Sequence, residues 1–183
     1  MELSAAVTVK APPEEVYAFW HDFERLPSFM GHLESVQATG ERRSHWKAKA
    51  PAGKTVEWDA EMTEDVPGER ISWRSLEGAD VENSGTVRFN PAPGDRGTEV
   101  RLKMTYDQPG GPLGKIASKF FGEEPKQQVE DALRRFKQVM ETGEVVRSDG
   151  SPEGHAAGRQ LKQRPAHPLE EPVGASTGNG RAS

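Results

Sequence analysis

The chain of 183 residues contains no cysteine. Disulfides, thiolate nucleophiles and Cys-ligated metals are therefore excluded. It also lacks a basic excess: 24 Lys and Arg stand against 29 Asp and Glu, giving a net charge of −5 and a sequence pI of about 5.6. Such a chain sets up no field that gathers phosphates, which argues against nucleic acid as a partner. The pairs Arg42-Arg43 and Arg134-Arg135 are too short to count as basic patches. No apolar run approaches the ~18 residues needed to span a bilayer. The start, MELSAAVTVKAPPEE, has no basic segment followed by an apolar one of the secretory kind. A soluble cytoplasmic protein is the expectation, with transient contact to a membrane surface and the oligomeric state left open.

Ready-made catalytic signatures are missing too. There is no P-loop and no GxGxxG. His21, His32 and His45 stand alone, without the HxxxH or HxH spacing that would hold a metal, and read as surface or cap residues. His155 and His167 fall late in the chain. No cofactor is implied. Gly110-Gly111, flanked by Pro109 and Pro112, reads as a hinge rather than a phosphate cradle.

What is present is pattern. From Leu113 to Thr142 the apolar residues Leu113, Ile116, Ala117, Phe120, Phe121, Val129, Ala132, Leu133, Phe136, Val139 and Met140 recur at helical spacing. Gly122 and Pro125 predict a kink or break, and Gly143 a C-terminal stop. Ahead of this helix, Leu3 to Val9 reads as a strand. Pro13, Glu14 and Glu15 open a short helix carrying Val16, Phe19, Trp20 and Phe23. A second helical piece is expected from Arg25 to Met30, with Pro27 in its first turn.

From His32 to Tyr106 the period becomes two. Trp46, Ala48 and Ala50 share a face, as do Val56, Trp58, Ala60 and Met62, then Ile71, Trp73 and Ser75. Val87 and Phe89 follow, and Val100, Leu102, Met104 and Tyr106 close the series. Glu57, Asp59 and Glu61 take the opposite face, where Lys47 and Lys49 can meet them across strands. Tight turns between consecutive strands predict an antiparallel meander with an apolar inner face. Residues 147–183 carry no aromatic and no period, and read as a disordered tail after a domain of residues 1–146.

The stretches Val7 to Val36, Val56 to Ser75, Gly85 to Tyr106 and Glu130 to Glu144, in this order, resemble the START-like (SRPBCC, birch-pollen-allergen-like) superfamily. In more detail they resemble the bacterial polyketide cyclase/dehydrase and coenzyme Q-binding START-domain group. The resemblance implies an α+β helix-grip fold: a curved antiparallel sheet of about seven strands around a long C-terminal helix, with two short helices after strand one. It also implies a cavity between sheet and helix, used in many members for an apolar ligand.

The expected lining is Trp46, Trp58, Met62, Trp73, Ser75, Phe89, Met104 and Tyr106 from the sheet, faced by Phe120, Phe121, Leu133 and Phe136 from the helix. A filled core is the competing reading of the same residues. Three indoles on one face favour a partly wet cavity, because each N–H seeks a partner. The leading functional expectation is binding or carriage of a small apolar molecule such as a lipid, quinone or polyketide-like compound. A cyclase or dehydratase is the alternative, with Tyr106 as first proton-transfer candidate and Ser75 and Arg74 behind it. A protein-interaction module is the third reading.

Overall fold

In the computed structural model residues 1–50, 53–106 and 125–143 are described, all within one unit, Met1–Val146. Phe120, Phe121, the hinge glycines and the expected tail lie outside the described residues. Strand β1 (Glu2–Val9) leads into helix α1 (Pro13–His21). Pro12 is extended and Pro13 takes the first helical position, where a missing N–H costs nothing. A six-residue 3-10 helix, Phe23–Ser28, follows directly. It starts two residues before the expected piece, and Pro27 lies in its second half rather than its first turn. Short i→i+3 bonds allow this: the Arg25 N–H donates to the Asp22 carbonyl at 3.0 Å and the Phe29 N–H to Leu26 at 3.2 Å.

The meander then runs through β2 (Leu33–Ala38), β3 (Arg43–Lys49), β4 (Thr55–Val66), β5 (Arg70–Ser75), β6 (Asn83–Pro91) and β7 (Thr98–Tyr106). All pairings are antiparallel, in the spatial order β1-β7-β6-β5-β4-β3-β2. The seven strands curl as the half-barrel of a helix-grip fold. Ser44, Trp46 and Ala48 on β3, and Val56, Trp58 and Ala60 on β4, point inward and are buried. The charged residues between them point outward. Lys47 Nζ meets Glu57 at 3.0 Å and His45 Nδ1 meets Asp59 at 2.9 Å.

Alternation breaks once in the middle of β4. The register shifts between Met62 and Glu64, so Thr63 has no partner on β5. Beyond this bulge Glu64 pairs with outward Ser72, and Asp65 with fully buried Ile71. Strict alternation would have left Asp65 outside with Asp59 and Glu61. The bulge turns it to the inner face, the re-aiming that bulges commonly perform.

Helix α2 (Pro125–Thr142) buries Val129, Ala132, Leu133 and Phe136. It begins at Pro125, another proline in a first helical turn. Gly143 ends it at φ +75°, its N–H returning to the Val139 carbonyl at 2.9 Å. Two bonds hold its last turns to the end of β1. Lys137 Nζ donates to the Thr8 carbonyl at 2.6 Å, and the Lys10 N–H donates to Glu141 Oε1 at 2.9 Å. The second of these holds the Glu141 carboxyl below its usual range, helped by Lys137.

Candidate functional site

The concave face carries a layered aromatic group. Trp46 and Trp58 are direct cross-strand partners, stacked at 5.8 Å with an interplanar angle of 22°. Trp73, one strand further on, lies nearly parallel to Trp46 at 6.3 Å and 16°. Small Ala60, between Ser44 and Ser75 in register, is the floor over which the two indoles meet. Gly85, opposite Trp73, makes room on the other side: a Cβ there would overlap the six-membered ring of Trp73. Phe23 of the 3-10 helix closes the group edge-on, 5.6 Å from Trp46 and 6.0 Å from Trp73. Edge-to-face packing of this kind adds about 0.5–1.5 kcal/mol per pair beyond area burial.

One end of this face is polar. The register aligns Ser44, Ala60, Ser75, Asn83 and Tyr106 across five strands. Trp46 Nε1 donates to Ser44 Oγ at 2.8 Å. Ser75 Oγ accepts the Asn83 N–H at 3.0 Å, and Asn83 Nδ2 donates to the Val81 carbonyl at 3.0 Å. Tyr106 is buried, with its hydroxyl 3.6 Å from Met104 Sδ, and burial drives its ionisation far above the usual phenol range. It is a proton holder, not a base. Trp58 is 7% exposed and its indole N–H has no hydrogen-bond partner among the described residues. Leaving such a donor unpaired costs about 1–3 kcal/mol.

Among the described residues, the expected lining side chains are spread along the sheet. Tyr106 stands opposite Asn83, and Phe89 lies six residues along the same strand, about 20 Å away at strand rise. Phe89 packs under Tyr17 of α1, ring edge to face at 6.0 Å. Phe136 meets Phe19, Trp20 and Phe29 rather than the sheet tryptophans. Met62 sits at the bulge and is half-buried. Arg74 takes the outer face, its Nε and a terminal nitrogen 2.8 and 2.6 Å from Glu61 Oε1. With Ser75 and Asn83 it borders a pocket of about 320 Å³ at the sheet end, which Tyr106 does not line. Arg74 thus stands on the other side of the sheet from Tyr106.

A different polar group is assembled, which the sequence did not show. Asp65, turned inward by the bulge, accepts the Tyr17 hydroxyl at 2.6 Å on one oxygen and faces His21 Nε2 at 3.1 Å on the other. Burial and this carboxylate push Tyr17 up to about 12, so the phenol keeps its proton. His21 borders a second pocket, of about 190 Å³, with Phe23, Ser44 and Met62 as its less polar side and Arg42, Arg43, Asp22, Glu24 and Glu41 around it. The sequence separation of 44 between His21 and Asp65 hides the pair from any local motif. His32, also read as a surface residue, is half-buried, and burial together with the Arg135 guanidinium pushes it down to about 4. No group of three or more His, Asp or Glu side chains is set to hold a metal among the described residues. None of the described helices is long and apolar enough to cross a membrane.

Comparison with known proteins places this geometry. Residues 9–134 match the family described as polyketide cyclase / dehydrase and lipid transport. The chain belongs to this family, within the START/SRPBCC superfamily. An uncharacterized 17.2 kDa protein of Streptomyces lincolnensis is 31% identical over 140 residues, covering 76% of this chain and 89% of the relative. A crystal structure from Deinococcus radiodurans is 47% identical, with a TM-score of 0.64 over 78% of this chain and 99% of that one. A START superfamily protein from Mycobacterium smegmatis shares the fold at 16% identity and a TM-score of 0.59, covering 75% and 98% of the two chains.

Proposed function

We propose that the protein binds and carries a small, largely apolar molecule on the inner aromatic face, and that this molecule brings a hydrogen-bond acceptor to the Trp58 indole. The observation that carries the reading is the Trp58 N–H, buried on a stacked aromatic surface with no acceptor among the described residues. A carbonyl or ether oxygen on a flat apolar ligand would satisfy that donor while its rings or chain cover the indoles. Ser75, Asn83 and Tyr106 supply a polar end to the same face, and Met104 an adaptable apolar surface. Helix α2, through Leu133, closes the domain core. The family's association with lipid transport and with polyketide chemistry supports an apolar ligand of this kind.

Native mass spectrometry of the full chain after exposure to a total lipid extract tests the reading, alongside thermal shift with a panel of apolar ketones, quinones and fatty acids. A retained mass, and a shift for at least one acceptor-bearing compound, are expected. No retained species and no shift across the panel would end the proposal.

A further inference from the structure

The pocket beside α1 carries chemistry that a carrier does not need. Asp65, as a carboxylate, only accepts hydrogen bonds, so the ring nitrogen facing it bears the proton. In the neutral imidazole His21 Nε2–H is then committed to Asp65, which leaves the lone pair on Nδ1. The Tyr17 hydroxyl holds the other Asp65 oxygen, which fixes the carboxylate in place. Three features thus recur from general-base sites: a base, a carboxylate that orients it, and a third group that orients the carboxylate. The bulge in β4 exists at the one point where it brings Asp65 to this helix. His21, with its side chain 46% exposed, is reachable from solvent, whereas Asp65 is only 28% exposed.

The rest of the pocket suggests what the base meets. Phe23 and Met62 offer an apolar wall. Arg42 and Arg43 have no ion-pair partner among the described residues; Glu61, opposite Arg43 in register, is taken by Arg74. Glu24 spends one oxygen on the Ala38 N–H at 3.0 Å. Two guanidiniums among carboxylates give little net field, so recognition there rests on directional, bidentate pairing with a planar anion.

The geometry points to His21 as the general base of a tautomerase site for a small 2-oxo acid with an aromatic or apolar side chain, with Asp65 and Tyr17 as positioning residues and Arg42 and Arg43 as the carboxylate anchor. In the step, His21 Nδ1 takes a proton from C3 of the substrate. The C–H electron pair forms the C2=C3 bond, and the C2 carbonyl becomes an enolate oxygen beside a guanidinium. The imidazolium then returns its proton to that oxygen to release the enol, or to C3 in reverse. No oxidant, reductant or metal enters the balance. This site lies on the other side of Phe23 from the indole stack and stands or falls separately from the carrier reading.

The test uses the full chain with phenylpyruvate, following keto–enol interconversion by enol–borate absorbance and deuterium uptake at C3 by NMR. Wild type is expected to exceed the same concentration of free imidazole. His21→Gln should lower kcat about a hundredfold, the low end for a positioned base. Asp65→Asn should lower kcat and distort the pH–rate profile with little change in KM, whereas Arg42→Ala combined with Arg43→Ala should chiefly raise KM. Circular dichroism shows whether each variant is folded; an unfolded His21→Gln is replaced by His21→Asn. Wild-type exchange no faster than imidazole, or a folded His21 variant with undiminished rate, overturns the assignment.

Discussion

Two aromatic groups share this small domain, and they are built differently. Phe19, Trp20, Phe29 and Phe136 join α1, the loop before β2 and α2 through tilted and edge-to-face contacts of 5.1–6.0 Å. Phe136 and Trp20 have no exposed surface at all. Trp46, Trp58 and Trp73 instead lie as near-parallel plates on a sheet, spaced over Ala60 and Gly85. Each group contains one indole N–H without a partner among the described residues, Trp20 in the first and Trp58 in the second. The first group is sealed by α1 and α2, and the cost of its unpaired N–H is offset by dense packing. The layered group lies beside a polar row, where an arriving acceptor would remove the cost. The difference separates structural aromatics from the proposed binding surface.

Substitutions should divide along the same line. Phe136→Ala removes the ring on which the sealed group converges and should destabilise the domain by about 3–5 kcal/mol, read from urea unfolding. Gly85→Ala drives a methyl into Trp73 and should cost about 1–3 kcal/mol. It should also change the near-ultraviolet dichroism of the indole stack, which Phe136→Ala would alter less before unfolding. Equal spectral change from both would blur the two regions into one core.

Acid should act through the junction of the loop before β2 with α2. His32 titrates near 4 in the folded chain against 6.5 ordinarily. The unfolded chain therefore takes up this proton first as pH falls. The contribution is complete above about 6.5 and is lost as pH drops toward about 4. His32→Gln should flatten the urea midpoint between these values relative to wild type; parallel curves would show that His32 does not matter there.

Much of the fold was legible because one face of each strand must be dry. The alternation of Val56, Trp58 and Ala60 with Glu57, Asp59 and Glu61 fixed which side chains turn inward. The prolines at positions 13 and 125 and Gly143 marked helix ends for local backbone reasons that need no partner. The site was less legible. The Thr63 bulge leaves no mark in a run of alternating polar residues, yet it decides where Asp65 points. Periodicity tells which face of a helix is buried, not what it is buried against, and Phe136 packs on Phe19, Trp20 and Phe29. Arg74 and Tyr106 are both proton-transfer candidates by residue type, but the pleat places them on opposite sides of the sheet.

The most direct measurement is a paired titration by tryptophan fluorescence, with 2-acetylnaphthalene against 2-ethylnaphthalene, on wild type, Trp58→Phe and Trp20→Phe. Trp58→Phe should change stability by about 1 kcal/mol or less, since it removes an unpaired donor along with part of the ring. Wild type and Trp20→Phe should prefer the ketone about five- to tenfold, the worth of one net hydrogen bond, and Trp58→Phe should lose that preference. An undiminished preference in Trp58→Phe, or none in wild type, would contradict the account.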